Sequence, residues 1–253
     1  MTLVDWLRKA CLEYTVEPAA VFRRRGPSAK WPATVKDEEH LFELLAKGGY
    51  LLPLPKEPAA LANVIEISLV DFVLRQLEKV KGAEARRGTE RGYPDVEISG
   101  KMFGAGFHAV DVKVARRHKN GKRTQSAITL YTGNTYFRWP DLSWPGTFRP
   151  FSEYTSHLDI LAIYTLNEKT DARIDDFEII VQEPWRIASK KRSSTTREYL
   201  GAVTSLQDLR SGKGEFATPE EFYKFWRKFP FKIGPAIESQ LKRAIARQSK
   251  KNE

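Results

Sequence analysis

The sequence contains a single cysteine, Cys11, in 253 residues. One thiol excludes an intrachain disulfide and any zinc site built on several thiolates. It suits a reducing compartment, and the cytoplasm is the expected location. Long apolar runs are missing as well. No stretch approaches the ~20 residues that a membrane span needs, and Asp5, Arg8 and Lys9 stand where a secretory leader would require an unbroken apolar core. There is no internal repeat and no low-complexity segment, so solenoids and disordered arrays are excluded. Acidic residues are the scarcer charge: 32 Asp and Glu face 42 Lys and Arg, a formal net charge of +10. An excess of this sign implies a polyanionic partner, with nucleic acid favoured over an acidic membrane surface.

The chain is nonetheless 41% hydrophobic and 11% aromatic, enough for one packed core in a single domain over 1–253. Leu3, Leu7, Ala10 with Cys11, and Tyr14 recur at helical spacing, which predicts an amphipathic helix at the start. Gly26, Pro27 and Pro32 then break the pattern. Asp37 is placed to cap a short helix that Gly48-Gly49 ends. From Ala59 to about Val80 the apolar residues follow a helical period on nearly every side, which predicts a buried helix. The rhythm then changes to strand-like alternation in "DVEISG", "FHAVDVKVA" and "QSAITLYTGNTYF", with Asn120-Gly121 as a hairpin turn. "SEYTSHLDILAIYTL" fits helix or strand, "FEIIVQEPWRIA" reads as a strand, and Thr218-Pro219 opens a helix whose aromatic residues pack inward. A basic helix closes the chain. The expected class is mixed α+β, an α/β arrangement with a central mixed sheet flanked by helices.

The chemistry lies in the middle. On a strand, Asp111 and Lys113 of "VDVKV" share one face while Val110, Val112 and Val114 take the other. Asp95 stands sixteen positions earlier, a separation that lets a hairpin turning in "SGKMFGAG" bring its carboxylate beside that of Asp111. Two adjacent carboxylates repel, and a divalent cation between them relieves the repulsion. Hard oxygen ligands with open positions favour magnesium, and a neighbouring lysine can hold a phosphate oxygen or a water. Glu66, in "NVIEISLV", is a third acid set among apolar residues, where a carboxylate is costly unless paired or metal-bound. Its plain alternative is a wet strip on the helix, as Asp-x-Lys on a strand can be a solvated ion pair. His108, an odd number of positions from Asp111, belongs on the opposite face and is structural.

Pro94-Asp95 followed by Asp111-x-Lys113 resembles the catalytic motif of the PD-(D/E)xK nuclease superfamily. With Glu66, these residues stand in the order and spacing found in EcoRV-like type II restriction endonucleases. The resemblance extends in order through "YLLPLP", "GYPD", "ITLYTGNTYFR", "RPFSEYTSH", "VQEPWRIA", "TTREYLG", "GKGEF" and "PEEFYKFWRKF", roughly residues 49 to 229. It implies a homodimer that cleaves duplex DNA at a palindromic site with magnesium, or manganese as a substitute, and leaves 5′-phosphates. By the same resemblance Asp95 and Asp111 ligate the metal, Lys113 positions or activates the attacking water, and Glu66 is an accessory acid able to bind a second ion. It further implies residues 1–58 as N-terminal helices with a dimerisation role, 59–182 as the catalytic core, and 183–253 as recognition loop and C-terminal helices. A DNA methyltransferase that protects the host, not bound as a subunit, is the expected companion.

The segment "WRIASKKRSSTTREYLG" places Lys190, Lys191, Arg192 and Arg197 among Ser193, Ser194, Thr195 and Thr196. Such a loop can neutralise phosphates and present side chains to base edges in the major groove; its plain alternative is a basic surface loop. It falls where the resembled family carries its recognition loop, and Arg91, just before Tyr93, falls where that family approaches the minor groove. The loop here is cationic where the family's is neutral, so a different recognition sequence is expected, with at least one G·C pair read by Arg192 or Arg197. Two other readings remain: a repair or nicking nuclease of the same superfamily, and a DNA-binding protein without catalysis.

Overall fold

Thr2 starts the first helix, α1 (Leu3–Cys11): its hydroxyl accepts the Asp5 N–H, Asp5 lies in the first turn, and Arg8 and Lys9 lie in the last. Each of these suits the helix dipole or its unpaired N–H groups. Leu3, Trp6, Leu7 and Cys11 form the buried face. The computed structural model describes residues 1–16, 36–40, 43, 58–89, 92–167, 174–193 and 198–249. Asp37 Oδ1 accepts the His40 N–H at 2.8 Å, the expected cap; most of the helix it opens, and "YLLPLP", lie outside the described residues.

The long helix predicted from Ala59 is α2 (Pro58–Glu78). It buries Leu61, Ile65, Leu69, Val70, Phe72, Val73 and Leu77, and exposes Ile67. Asp71, on the same helix, is buried in an ion pair with Arg87.

The strands are β1 (Ala83–Arg87), β2 (Val96–Gly100), β3 (Phe107–Arg116), β4 (Arg123–Ile128), β5 (Tyr131–Thr132), β6 (Tyr154–Leu166), β7 (Ile174–Gln182), β8 (Tyr199–Leu200) and β9 (Val203–Ser205). Five of them form a mixed sheet in the order β1-β2-β3-β6-β7. Only the central β3–β6 pair is parallel; the outer pairs are antiparallel. Val110, Val112, Leu158, Ile160 and Ala162 pack toward α1 and α2, while Ala109, Ala115, Leu161 and Ile163 pack with Phe137, Phe151, Phe222 and Trp226 on the other side. A strand covered on both faces needs apolar residues at nearly every position. That is why "SEYTSHLDILAIYTL", now β6, shows no decisive period.

"QSAITLYTGNTYF" is not one strand. It divides into β4, which pairs with β9, and β5, which pairs with β8. The turn at Asn120-Gly121 is present, with Gly121 at φ 68 and the His118 N–H bonded to the Arg123 carbonyl. Beyond it the strand pairing between the two is limited to the Arg117–Thr124 bridge, and β4 pairs with β9 instead.

Four helices follow: α3 (Pro184–Ile187), α4 (Leu206–Ser211), α5 (Pro219–Lys228) and α6 (Pro235–Ser249). Thr218 caps α5 by accepting the Glu221 N–H, and Phe222 and Trp226 are fully buried as expected, whereas Phe225 of the same helix is exposed. Among the described residues no helix is long and apolar enough to cross a membrane.

Candidate active site

The turn between β2 and β3 sets the geometry. Its short helical turn, Lys101–Phe103, follows Gly100, whose φ is 138. A Cβ at Gly100 would stand 2.5 Å from the Gly82 carbonyl oxygen, so the chain can pass β1 this closely only without a side chain. The antiparallel register then sets Val96 opposite Val110. Asp95, one residue before β2, thus lies beside the middle of β3, and its Oδ2 accepts the Val112 N–H at 2.6 Å.

Asp111 and Lys113 project from β3 on the face away from α1 and α2 and form an ion pair with each other. Asp111 is buried and Lys113 partly so. Burial, reinforced by the Asp111 charge, pushes the Asp95 carboxyl up to about 8, against the opposing pull of Lys113 and the Val112 N–H. Burial alone would lower the Lys113 ammonium, yet the carboxylates of Asp111, Asp159 and Asp95 outweigh it and hold the group above its ordinary value. Glu66 reaches the same region from α2. Burial raises its carboxyl, Lys113 draws it back and Asp111 raises it further. Glu66 and Asp95 thus each feel both Asp111 and Lys113.

His108 lies on the other face, with Nδ1 hydrogen-bonded to Ser156 Oγ at 2.8 Å, in keeping with a structural role. One charged residue went unnoticed in the sequence. Asp159 of β6 pairs in parallel register with Asp111, is 1% exposed, and has an Oδ2 without a hydrogen-bond partner. The signal was there: a lone carboxylate in "HLDILAI", the same anomaly that marks Glu66.

These groups open into a cleft of about 1080 Å³. Glu66, Asp95, Asp111 and Lys113 line it together with Gln125 and Ser126 of β4, Thr129, Asn134, Glu198, Tyr199 and Ile237 of α6. A cavity of about 1160 Å³ lies between α1 and β7 at the sheet edge. There Arg8 donates to the Val181 carbonyl and Arg210 pairs with Glu178.

The basic loop borders that cleft through Glu198 and Tyr199. Lys190 and Lys191 are exposed, their backbone N–H groups fixed by Glu215 Oε2 and Ser189 Oγ. Arg192 donates to Glu198 Oε1 at 2.6 Å, which ties the start of the loop to its end. Ser193 is buried, with its N–H on the Tyr199 carbonyl. Ser194, Thr195, Thr196, Arg197 and Arg91 lie outside the described residues.

Among the described residues no three His, Cys, Asp or Glu side chains converge as a metal cage. Magnesium does not need one. It retains several waters and binds through one or two carboxylates plus the phosphate of a substrate. Asp95 and Asp111, with repulsion between them and open space in front, fit that requirement.

The sequence pattern of the family described as Restriction endonuclease EcoRV matches residues 28–245. The type II restriction enzyme EcoRV of Escherichia coli is 20% identical to this chain over 202 residues, covering 74% of this chain and 80% of that enzyme.

Proposed function

The chain belongs to the EcoRV restriction endonuclease family, and from that premise we propose that it is a type II enzyme. It cuts duplex DNA at a palindromic sequence, as a homodimer, with magnesium or manganese, and leaves 5′-phosphates. The observation that carries the reading is the Asp95 carboxylate fixed on the Val112 N–H beside the Asp111–Lys113 pair, at the base of a cleft bordered by a basic loop.

Asp95 and Asp111 are the residues to hold the cation. When bound, the cation supplies charge stabilisation to the scissile phosphate and lowers the pKa of a water. The Val112 N–H fixes one oxygen of Asp95, which lines the cleft beside Asp111. Lys113, kept protonated by its carboxylate neighbours, donates hydrogen bonds that orient a phosphate oxygen or the attacking water. Glu66 adds negative charge from the helix side and is the accessory acid. Lys190 and Lys191 neutralise phosphates, and Arg192, Ser193, Ser194, Thr195, Thr196, Arg197 and Arg91 are the other DNA-binding residues of this reading. Arg192, bridged to Glu198, first braces the loop; a guanine contact requires it to give up or share that carboxylate. The N-terminal part serves dimerisation, the cytoplasm is the setting, and a protecting methyltransferase is the companion activity.

Incubation of the protein with phage lambda DNA and magnesium tests this directly, with Asp111→Ala alongside. The expected result is a fixed ladder of fragments that requires both the metal and Asp111. A smear indicates a non-specific or repair nuclease, and intact DNA with retained binding indicates a protein without catalysis; either overturns the reading.

A further inference from the structure

Asp159 has no part in the chemistry above, yet its position is unusual. It sits at the centre of the central parallel pair, level with Asp111 on the adjacent strand and on the same face of the sheet. It is 1% exposed, and its Oδ2 lacks any hydrogen-bond partner. A buried carboxylate oxygen without a partner is costly and is retained only if some state of the protein satisfies it. Structural carboxylates on this sheet look different. Glu97 of β2 is held by both Arg149 and the Tyr154 hydroxyl, and Glu178 of β7 by Arg117 and Arg210.

Among the described residues a cation that acts on Asp159 is Lys113, two residues along from Asp111 on β3 and diagonal to Asp159 across the strands. Such diagonals are spanned by long side chains. In the structure Lys113 is engaged by Asp111. That engagement conflicts with a divalent cation on Asp111, because ammonium and metal compete for the same carboxylate oxygens and repel each other. Asp159 is also not arranged as a further ligand, since no three carboxylates converge among the described residues.

We propose that Asp159 is the positioning residue for Lys113: when a divalent cation occupies Asp95 and Asp111, the Lys113 ammonium moves its hydrogen bond from Asp111 to Asp159 Oδ2. The lysine thereby stays beside the phosphate without opposing the metal. This rests on the metal-dependent reading of the site. It assigns the Asp111–Lys113 pair to the resting state and the Asp159–Lys113 pair to the working one.

The test is a double-mutant cycle read by manganese binding, using calorimetry on the full-length protein alone and with a cleavage-resistant phosphorothioate DNA duplex. The proteins are wild type, Asp159→Asn, Lys113→Met and the double variant, with Asp159→Ala as a second removal of the acceptor and Asp111→Asn as a control. Thermal melting identifies any variant that does not fold. Asp159→Asn is expected to weaken manganese binding about tenfold when Lys113 is present, and to change it less than about twofold in the Lys113→Met background, a coupling in the range of contacting charged groups. In single-turnover cleavage it lowers the rate constant and leaves DNA affinity unchanged. Equal weakening in both backgrounds means that Asp159 acts as a ligand or a mere charge, and overturns the proposal. No effect in either background overturns it as well. If wild type binds no manganese in an Asp111-dependent way, the metal-dependent reading itself fails and this assignment falls with it.

Discussion

Lys113 and Asp95 show how the site is tuned one residue at a time. Lys113 keeps its proton because the carboxylates around it outweigh the cost of burying it, so in the proposed mechanism it donates hydrogen bonds. Lys113→Met is therefore expected to lower single-turnover cleavage by about a hundredfold or more, the usual span of a positioned proton donor, with DNA binding retained at equal ionic strength. A variant that cleaves at wild-type rate would remove Lys113 from the mechanism. Asp95 depends on its backbone anchor as much as on its charge. Its Oδ2 is held by Val112 N, and repulsion from Asp111 adds to burial in raising its carboxyl to about 8. A cation bound between the two favours the ionised form.

Elements decide where those residues stand. The β2–β3 hairpin brings Asp95 to Asp111, and both the turn and the face alternation of "VDVKV" were legible in the sequence because period-2 patterning and glycine placement are local signals. The pairing of β4 with β9 and of β5 with β8 was not legible. Those strands are short and find their partners 67 to 82 positions away, so tertiary packing overrides local propensity. Asp159 escaped notice for a related reason: only the parallel register of β6 with β3 reveals that it faces Asp111. Beneath the hairpin, Glu97 of β2 accepts both arms of the Arg149 guanidinium at 2.7 and 3.0 Å and the Tyr154 hydroxyl at 3.0 Å. Arg149 also lies over the Phe107 ring of β3. Arg149→Met leaves a buried carboxylate without its cation, and should cost about 3 kcal/mol in denaturant unfolding. A loss under about 1 kcal/mol would show that the pair is no more than a surface bridge.

At the scale of the molecule, two apolar cores enclose the sheet, and His157 lies in one of them, stacked on Phe151 with Nδ1 2.7 Å from the Tyr93 hydroxyl. Burial, with the Arg227 charge added, holds its imidazole down at about 3. An unfolded histidine takes its proton near pH 6.5. The stability due to the neutral ring is thus complete above about 6.5 and is lost progressively as pH falls toward 3. Melting temperatures of wild type should fall more steeply than those of His157→Gln between pH 7 and 4.5; parallel curves would contradict this. The net charge of +10 acts over the whole surface. DNA affinity should decline linearly on logarithmic axes as salt rises, and Lys190→Ala with Lys191→Ala should reduce that slope by about two. An unchanged slope would place the phosphate contacts elsewhere. The central claim joins all three scales: one carboxylate centre per protomer, directed by a loop, in a symmetric pair. Sequencing the ends of the fragments released from phage lambda DNA in magnesium tests it most directly. The account predicts that every end falls at a fixed offset within one recurring sequence of twofold symmetry and carries a 5′-phosphate. Ends scattered over unrelated sequences, or recurring at a site without that symmetry, would contradict it.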